Sequence, residues 1–244
     1  MRTFLSILLW IYWTICFNFC LLIVSVLFLL TWPFDRFRKI PNAALKLLAW
    51  LILKPVPSWQ FEINGDAPQK VQKPTIVMGN HQSFLDIPLL YLLPWNMKWV
   101  TKKSMRRIPI LGWMITMTGH IPIDRQSLRS FRAMDELVEP VKNGIPGMIF
   151  PEGTRSRDGS LQSFKRGGFK IAKEYNFQIL PVVVEGGFRA MPRGSWRFKF
   201  NNKFVVSILN PVDVADYDNA EVLRTHVRGL IEEELAKIQA EDNP

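Results

Sequence analysis

Residues 80–86, Asn-His-Gln-Ser-Phe-Leu-Asp, combine a histidine with an aspartate five positions later. They directly follow a short apolar run, residues 74–79, that predicts a β-strand. A side chain at the carboxyl end of such a strand points into the crevice where α/β proteins usually bind ligands. If Asp86 begins the next helix, one tight turn brings its carboxylate to the His81 imidazole, where it fixes the tautomer and supports the imidazolium. The pair therefore predicts a general base for a hydroxyl group or a water molecule.

A second polar group follows another apolar run. Residues 147–150 predict a strand, and residues 151–156, Pro-Glu-Gly-Thr-Arg-Ser, come directly after it. In a parallel sheet both polar groups lie at the same edge. Arg155 offers a planar fork suited to a phosphate group, Glu152 can accept a hydrogen bond from a hydroxyl group, and Gly153 permits close approach of the backbone. Taken alone, this pattern also fits a surface turn.

The chain between and beyond these two groups contains a basic stretch. Residues 98–132 hold eight lysines or arginines and one aspartate. Lys102 and Arg125 flank an apolar stretch, residues 108–117, and two interpretations are open. One is a solvated basic face around a core helix, and the other is a phosphate clamp beside an apolar channel for a lipid chain. A further apolar run, residues 179–183, reads mostly as a core strand.

Several kinds of catalytic site are missing from the sequence. It contains no Gly-x-Ser-x-Gly elbow, no P-loop and no dinucleotide-binding fingerprint. Its two cysteines, Cys16 and Cys20, lie inside an apolar run, and its three histidines do not have the spacing of zinc ligands. A base without a protein nucleophile indicates that the substrate supplies the nucleophile, and neither a metal nor a cofactor is expected.

The elements that must position these residues begin with an N-terminal membrane segment. Residues 3–34 contain no charged side chain, and residues 4–30 are apolar at all but four positions. A helix of that length reaches roughly 40 Å, enough to cross a hydrocarbon core, and the run is too long for a cleavable signal peptide. Trp32 and a basic cluster at residues 36–39 follow, which predicts that the downstream chain lies on the cytoplasmic side.

A second apolar segment, residues 41–53, predicts a helix that is too short to span a membrane comfortably. Lys46 and Lys54 suit a helix that lies in the interface, because their long side chains can reach the headgroups. Three arrangements are open: one spanning helix with one interfacial helix, a helical hairpin dipped into one leaflet, and a buried core helix of a soluble domain. Residues 1–57 are taken as the membrane-anchoring part.

Residues 58–244 predict one α/β domain. Short strands alternate with helical stretches, which favours a single catalytic domain with a mixed, largely parallel sheet flanked by helices. The last two predicted strands form a hairpin around an Asn-Asn turn at residues 201–202. The predicted strands are residues 59–64, 74–79, 98–101, 147–150, 178–185, 197–200 and 204–209. The predicted helices are residues 87–93, 110–117, 127–142, 169–175 and 219–240.

The overall composition narrows the class of protein. The 244-residue chain is 48% hydrophobic and 12% aromatic, which excludes a disordered chain, and two cysteines exclude a disulfide framework. Mean hydropathy near zero argues against a polytopic membrane protein. The net charge of +10 suits anionic lipid headgroups or phosphate-bearing substrates. No nucleic-acid-binding motif accompanies it, so no nucleic acid partner is expected.

Taken together, four segments resemble the four ordered motifs of the glycerolipid acyltransferase family, and most closely those of the bacterial lysophosphatidic acid acyltransferases. The segments are residues 80–86, 102–125, 150–156 and 179–183. With the N-terminal helices, the resemblance covers nearly the whole chain. It implies an O-acyltransferase of phospholipid biosynthesis on the cytoplasmic face of the cell membrane. It also implies three kinds of partner: an acyl-CoA or acyl carrier protein (ACP) thioester as donor, lysophosphatidic acid as acceptor, and membrane lipids.

The resemblance also implies a role for each motif residue. His81, oriented by Asp86, would remove the proton of the sn-2 hydroxyl of 1-acylglycerol 3-phosphate, whose oxygen attacks the thioester carbonyl and gives phosphatidate. No covalent acyl-enzyme, metal or prosthetic group is involved. The third motif would help to place the acceptor through Glu152, Gly153 and Thr154.

The acceptor phosphate would be bound by Arg155 together with Lys102 and Arg125. The adjacent Lys103 leaves open which lysine faces the phosphate. Two other functions are also open. The first is the same chemistry with glycerol 3-phosphate or another lysophospholipid as acceptor, and the second is a non-catalytic protein that binds anionic membranes.

Overall fold

The computed structural model describes residues 1–68, 70–124 and 134–242. Its centre is a seven-stranded sheet in the order β1-β7-β6-β2-β5-β3-β4. The strands are β1 (Trp59–Asn64), β2 (Thr75–Gly79), β3 (Lys98–Lys102), β4 (Ile121–Ile123), β5 (Gly147–Ile149), β6 (Gln178–Glu185) and β7 (Asn202–Ile208).

Helices cover both faces of this sheet. Short 3-10 turns at Lys103–Arg107, Asp135–Leu137 and Val214–Asp216 connect some of the elements. The α-helices are α1 (Arg2–Thr31), α2 (Lys39–Ala43), α3 (Leu45–Leu53), α4 (Asp86–Leu90), α5 (Leu111–Met117), α6 (Val138–Lys142), α7 (Gly167–Glu174), α8 (Gly187–Ala190) and α9 (Ala220–Asp242).

The sheet is largely parallel, which confirms the predicted fold class. Among the described strands, the pairing of β6 with β7 is antiparallel and the others are parallel. Strands buried on both faces need no polar alternation. In β2, Ile76 and Met78 therefore face the hydrophobic cluster that contains α7 and α9, while Val77 faces the cluster that contains α1, α3 and α4.

The predicted hairpin at the end of the domain is wrong. Residues 197–200 do not form a strand, and β7 pairs in parallel with β1 and antiparallel with β6. The reason is the burial of Phe198, whose ring lies 4.9 Å from Trp13 and 5.4 Å from Trp10, centroid to centroid. This segment therefore packs against helix α1 and does not pair with β7.

Other boundaries differ in smaller ways. The predicted helix at residues 41–53 is two short helices, α2 and α3, and the short strand β4 was not predicted. Of the predicted helix at residues 127–142, the part up to residue 133 lies outside the described residues, and the rest is a 3-10 turn followed by α6.

Helix α1 is, among the described helices, the one long and apolar enough to cross a membrane. It packs against α2, α3 and α5 along one side. Its opposite side is exposed and apolar, with Ile11, Ile15, Phe19 and Leu22 each more than half exposed. The buried residues follow helical spacing along most of its length: Ser6, Leu9, Trp13, Cys16, Cys20, Val24 and Thr31.

Both ends of α1 contact the α/β part of the chain. Near the N-terminus, the backbone N–H of Phe198 donates to Oγ of Ser6 at 3.1 Å. Just beyond the C-terminus, the Arg38 guanidinium lies over the Trp32 ring, and its side chain packs so closely on Gly119 that a Cβ there would be 3.1 Å from Cγ of Arg38. In addition, one hydrophobic cluster contains buried residues of α1 together with buried residues of the sheet.

Candidate active site

The turn after β2 is shaped by the side chain of Asn80. Its Nδ2 donates to the carbonyl of Val184 at 2.8 Å, and its Oδ1 accepts from the backbone N–H of the same residue at 2.8 Å. The buried amide thus continues the pairing of β2 with β6 for one more residue by means of a side chain. The backbone then turns out of the sheet, and His81 is the first residue of the loop that follows.

Asp86 is the first residue of α4 and is fully buried. Its Oδ2 accepts three hydrogen bonds, from Nδ1 of His81 at 2.8 Å, from N of Gln82 at 2.6 Å and from N of Ser83 at 2.7 Å. The carboxylate therefore fixes the turn of the loop through two backbone N–H groups, and it holds the proton of the imidazole on Nδ1. Nε2 of His81 makes no contact with this carboxylate, and a neutral imidazole with its proton on Nδ1 can accept a proton at Nε2.

The imidazole of His81 is held from a second side by an aromatic ring. The rings of His81 and Phe150 are stacked, with centroids 3.9 Å apart and planes within 6°. Phe150 is the residue after β5, next to β2 in the sheet. The His81 side chain is 14% exposed, so the imidazole is fixed in orientation while one edge is open to a substrate.

Glu152 binds backbone groups of the site. Its Oε1 accepts from N of His81 at 2.6 Å, and its Oε2 accepts from N of Gln162 at 3.0 Å. The carboxyl group is buried, and burial, which outweighs the two N–H donors, raises its pKa from 4.5 to about 7. Since the N–H of Ser156 also donates to the carbonyl of His81 at 2.8 Å, the third motif holds the first on both sides of the histidine.

Gly153, Thr154 and Arg155 continue this loop. Gly153 has a φ of +73°, and a Cβ there would be 3.0 Å from Cε of Lys165, so both conformation and space favour glycine. Thr154 is exposed. Arg155 lines a groove of about 470 Å³ between helix α1 and the segment before α5. Other residues of this groove are Trp10, Thr14, Phe17, Phe84, Pro109, Ile110, Leu111, Met191 and Trp196.

A separate apolar cavity lies beneath this groove, between the N-terminal helices and helices α4 and α5. It encloses about 90 Å³ and is lined almost entirely by carbon atoms. Phe17, Phe84 and Leu111 line both the groove and the cavity. The loop of residues 80–85, through Phe84, therefore lies between a groove lined by the cationic Arg155 and a cavity with an apolar lining. Other residues of the cavity are Leu45, Leu48, Ala49, Ile52, Ile87, Pro88, Tyr91, Trp99, Thr101, Met105, Met114, Ile115 and His120.

The basic residues of the second motif are not brought together in the same way. Lys102 is exposed at the end of β3, beside Ile123 of β4. Lys103 begins the following 3-10 turn and is also exposed. Arg125 lies outside the described residues. Arg155 is the cation among the described residues that line the groove.

Two residues that support the loop were not predicted from the sequence. The amide Nε2 of Gln82 donates to Oε2 of Glu185 at 2.8 Å, and Glu185 is buried at the end of β6. Gln239 of α9 donates to the same carboxylate oxygen at 3.2 Å. A polar residue at the end of an apolar run is the signal that singled out the segments after β2 and β5. The same signal could have identified Glu185, which is the last residue of β6.

A buried polar chain begins at two residues that line the cavity, Tyr91 and His120. The Tyr91 hydroxyl contacts Nε2 of His120 at 3.0 Å and donates to Oδ1 of Asn42 at 3.1 Å. Burial lowers the pKa of His120 well below its ordinary value, so the ring is neutral. Nδ2 of Asn42 donates to the Met97 carbonyl at 3.0 Å. The chain fixes helix α2 against the domain.

In residues 1–68, 70–124 and 134–242, no three His, Cys, Asp or Glu side chains gather as a metal site would require.

Comparisons with known proteins agree on one family. The family model described as Acyltransferase matches residues 60–185. A chloroplast 1-acyl-sn-glycerol-3-phosphate acyltransferase of Arabidopsis thaliana is 34% identical over 206 residues, which are 83% of this chain and 56% of the relative. One of Brassica napus is 37% identical over 66% of this chain and 47% of the relative. This chain thus spans about half the length of these relatives.

Two further matches extend over nearly all of both chains. A 1-acyl-sn-glycerol-3-phosphate acyltransferase of Haemophilus influenzae is 29% identical over 91% of this chain and 93% of its own length. The crystal structure of a 1-acyl-sn-glycerophosphate acyltransferase of Thermotoga maritima superimposes with a TM-score of 0.76 at 27% identity, covering 98% of each chain.

Proposed function

The chain belongs to the acyltransferase family, and from this premise we propose that it transfers an acyl group from a thioester donor to the sn-2 hydroxyl of 1-acylglycerol 3-phosphate. One observation carries the proposal. A histidine held by a buried aspartate lies in the loop that separates a cationic groove from an apolar cavity. An acylation of a phosphorylated lipid needs these three features together.

In the proposed reaction, Nε2 of His81 takes the proton of the acceptor hydroxyl as its oxygen attacks the thioester carbonyl. The tetrahedral intermediate then collapses, the carbon–sulfur bond breaks, and the imidazolium returns its proton to the departing thiolate. Phosphatidate and a free thiol are formed. Asp86 stabilises the imidazolium between the two proton transfers. Because a thiolate is a good leaving group, positioning of the two substrates supplies most of the catalysis.

The two cavities suggest where the substrates bind. The acceptor phosphate would bind Arg155 in the groove, with Lys102 or Lys103 and Arg125 as further cations, and an acyl chain would enter the apolar cavity. Gly153 and Thr154 would border the acceptor. Glu152 would act through the backbone of His81, because both of its oxygens accept backbone hydrogen bonds. The donor would be an acyl-CoA or an acyl-ACP.

A membrane-borne acceptor is favoured over the water-soluble glycerol 3-phosphate. Trp10, Thr14 and Phe17 of helix α1 form one wall of the groove, and the opposite side of that helix is exposed and apolar. We infer that α1 lies in one leaflet, since both of its ends contact the α/β part. The basic residues that follow α1 suggest the cytoplasmic face of the membrane.

Replacement of His81 tests the proposed function. His81→Ala should reduce thiol release from acyl-CoA or acyl-ACP in the presence of lysophosphatidate by about a thousandfold or more, because the general base is lost. His226→Ala, which removes an exposed histidine of α9, is the matched control and should keep full activity. Wild-type activity in His81→Ala would exclude the mechanism.

A panel of acceptors tests the substrate. Lysophosphatidate should be acylated, whereas glycerol 3-phosphate and lysophosphatidylcholine should neither be acylated nor compete at equal concentration. Turnover of glycerol 3-phosphate in preference to lysophosphatidate would reassign the acceptor and leave the acyl transfer chemistry intact.

A further inference from the structure

The two oxygens of the Asp86 carboxylate have different surroundings. Oδ2 accepts the three hydrogen bonds described above, whereas Oδ1 is buried without a hydrogen-bond partner among the described residues. The space beside Oδ1 is closed by Gly187, the first residue of α8. A Cβ at position 187 would be 2.4 Å from Oδ1 and 3.0 Å from Cβ of Ser83. The first distance is far below the roughly 3.5 Å at which non-bonded atoms pack.

The reason for glycine at position 187 is space and not backbone conformation. The preceding Gly186 has a φ of +90°, and a Cβ there would overlap the carbonyl oxygen of Lys203 at 2.1 Å. Gly187, by contrast, lies within a right-handed helix that any residue can adopt. The atom that excludes a side chain from position 187 is the catalytic carboxylate oxygen itself.

The segment that contains Gly187 is tied to the loop by hydrogen bonds. The Ser83 hydroxyl donates to the carbonyl of Met191 at 2.8 Å, and Gln82 donates to Glu185. The catalytic loop is therefore bonded to residues on both sides of Gly187. A side chain at position 187 must displace the carboxylate of Asp86 and lengthen its 2.8 Å contact with His81.

We propose that Gly187 is a positioning residue for the reaction: its lack of a side chain keeps the Asp86 carboxylate in the orientation that holds His81. The proposal rests on the proposed function, since it assigns Gly187 to the same catalytic pair. It concerns a residue beyond the four motifs, four positions after the end of the fourth motif at residue 183.

The first test compares Gly187→Ala with Gly229→Ala. Gly229 lies in α9, and a Cβ there would meet nothing within 4 Å. Gly187→Ala should lower kcat by about a hundredfold or more while KM for both substrates changes by less than about threefold. Gly229→Ala should match the wild type in each measurement.

Activity of Gly187→Ala within about threefold of the wild type would overturn the proposal. So would a fall in activity that matches the loss of folded protein measured by circular dichroism, since a general loss of packing lowers the amount of active enzyme without impairing each folded molecule.

A double-mutant cycle with Asp86→Ala separates this proposal from the proposed function. When the carboxylate is absent, the nearest obstacle at position 187 is gone, and the remaining contact, with Cβ of Ser83 at 3.0 Å, is relieved by a shift of a few tenths of an ångström. Asp86→Ala and Asp86→Ala/Gly187→Ala should therefore have equal residual activity. Multiplied losses would overturn the role of Gly187. If Gly187→Ala does not fold, recovery of folded protein in the double variant supports the proposal and failure to recover contradicts it. Full activity of Asp86→Ala would instead overturn the proposed catalytic pair.

Discussion

The loop that contains His81 depends on two buried carboxyl groups that bind backbone N–H groups. Asp86 accepts from the two residues after His81, and Glu152 accepts from His81 itself. Such hydrogen bonds fix the path of the backbone more firmly than side-chain contacts alone, because the N–H groups have no other acceptor in a buried loop. The histidine is therefore positioned through its main chain as much as through its ring.

Glu152→Gln should weaken the site because an amide offers one acceptor oxygen where the carboxylate offers two. One of the two N–H groups, of His81 or Gln162, would then face an NH₂ group. We expect kcat to fall by about tenfold or more. Glu233→Gln, at an exposed position of α9, is the matched control. Equal kcat in both variants would show that the second acceptor is not needed.

The raised pKa of Glu152 also predicts a pH dependence of stability. The pKa of this carboxyl group is about 7 in the folded protein, against an ordinary value of 4.5. The folded state therefore binds the proton more tightly than the unfolded state, and the protonated form favours folding. That stabilisation is complete below pH 4.5 and is lost as the pH rises through 7. Thermal unfolding of the detergent-solubilised protein between pH 5 and 8 should therefore show a smaller fall in Tm for Glu152→Gln than for the wild type. Parallel curves would contradict this assignment.

At this scale the sequence predicts some residues well and others poorly. The contact of His81 with Asp86 follows from a short loop between a strand and a helix, which is local geometry. Glu152 was expected to face the acceptor, whereas both of its oxygens bind backbone groups. Its partner His81 is 71 residues away in sequence, and no local pattern reports such a contact.

At the scale of the elements, four helices form the apolar cavity together: α1 and α3, which precede the sheet, and α4 and α5, which follow β2 and β3. The cavity is bordered by α1 and α3 on one side and by α4 and α5 on the other. Its shape therefore depends on how the N-terminal helices pack on the domain. Side chains on these helices should set the length of acyl chain that fits.

Ala49→Leu tests this dependence. Ala49 is 2% exposed on α3 and lines the cavity, so a larger side chain shortens the space for a hydrocarbon chain. Because each methylene group in an apolar pocket changes selectivity by about tenfold or more, the ratio of kcat/KM for long and short acyl donors should fall by at least about tenfold. Leu47→Met, at an exposed position of the same helix, should leave this ratio unchanged. An unaltered chain-length profile in Ala49→Leu would mean that the acyl chain binds elsewhere.

Element types could be predicted from the sequence, whereas the partners of some elements could not. The apolar strands β2, β5 and β6 could be predicted because a run of apolar residues in the sequence indicates a buried strand whichever strands lie beside it in the sheet. The pairing of β1 with β7 could not be recognised, since it joins residues 59–64 with 202–207. An Asn-Asn turn between two apolar runs favoured a hairpin, but the burial of Phe198 against α1 prevents it.

In the whole molecule, helix α1 and the α/β part share one hydrophobic cluster. Trp13 is fully buried at the centre of their contact, packs on Phe198 and donates from its indole N–H to the carbonyl of Ile52 at 3.2 Å. Helix α1 is thus part of the core of the protein.

Trp13→Ala should accordingly destabilise the entire fold. Removal of a fully buried tryptophan side chain costs about 3–5 kcal/mol of unfolding free energy, and we expect one cooperative transition at lower denaturant concentration in detergent, followed by circular dichroism. Ile11→Ala, which removes a side chain that is 54% exposed on the opposite face of the same helix, should unfold close to the wild type. Equal midpoints for the two variants would show that α1 is not part of the core.

The hydrogen bond between Ser6 and Phe198 spans 192 positions of the chain. A ribosome adds roughly 5–20 residues per second, so helix α1 exists for about 10 to 40 seconds before the segment that contacts Ser6, Trp10 and Trp13 has been made. During that interval, α2, α3 and α5 can pack on the helix, but its N-terminal part lacks this later partner. Lipid or a chaperone must cover that part first, and the final fold must then recover it from the temporary partner after residue 198 has been synthesised.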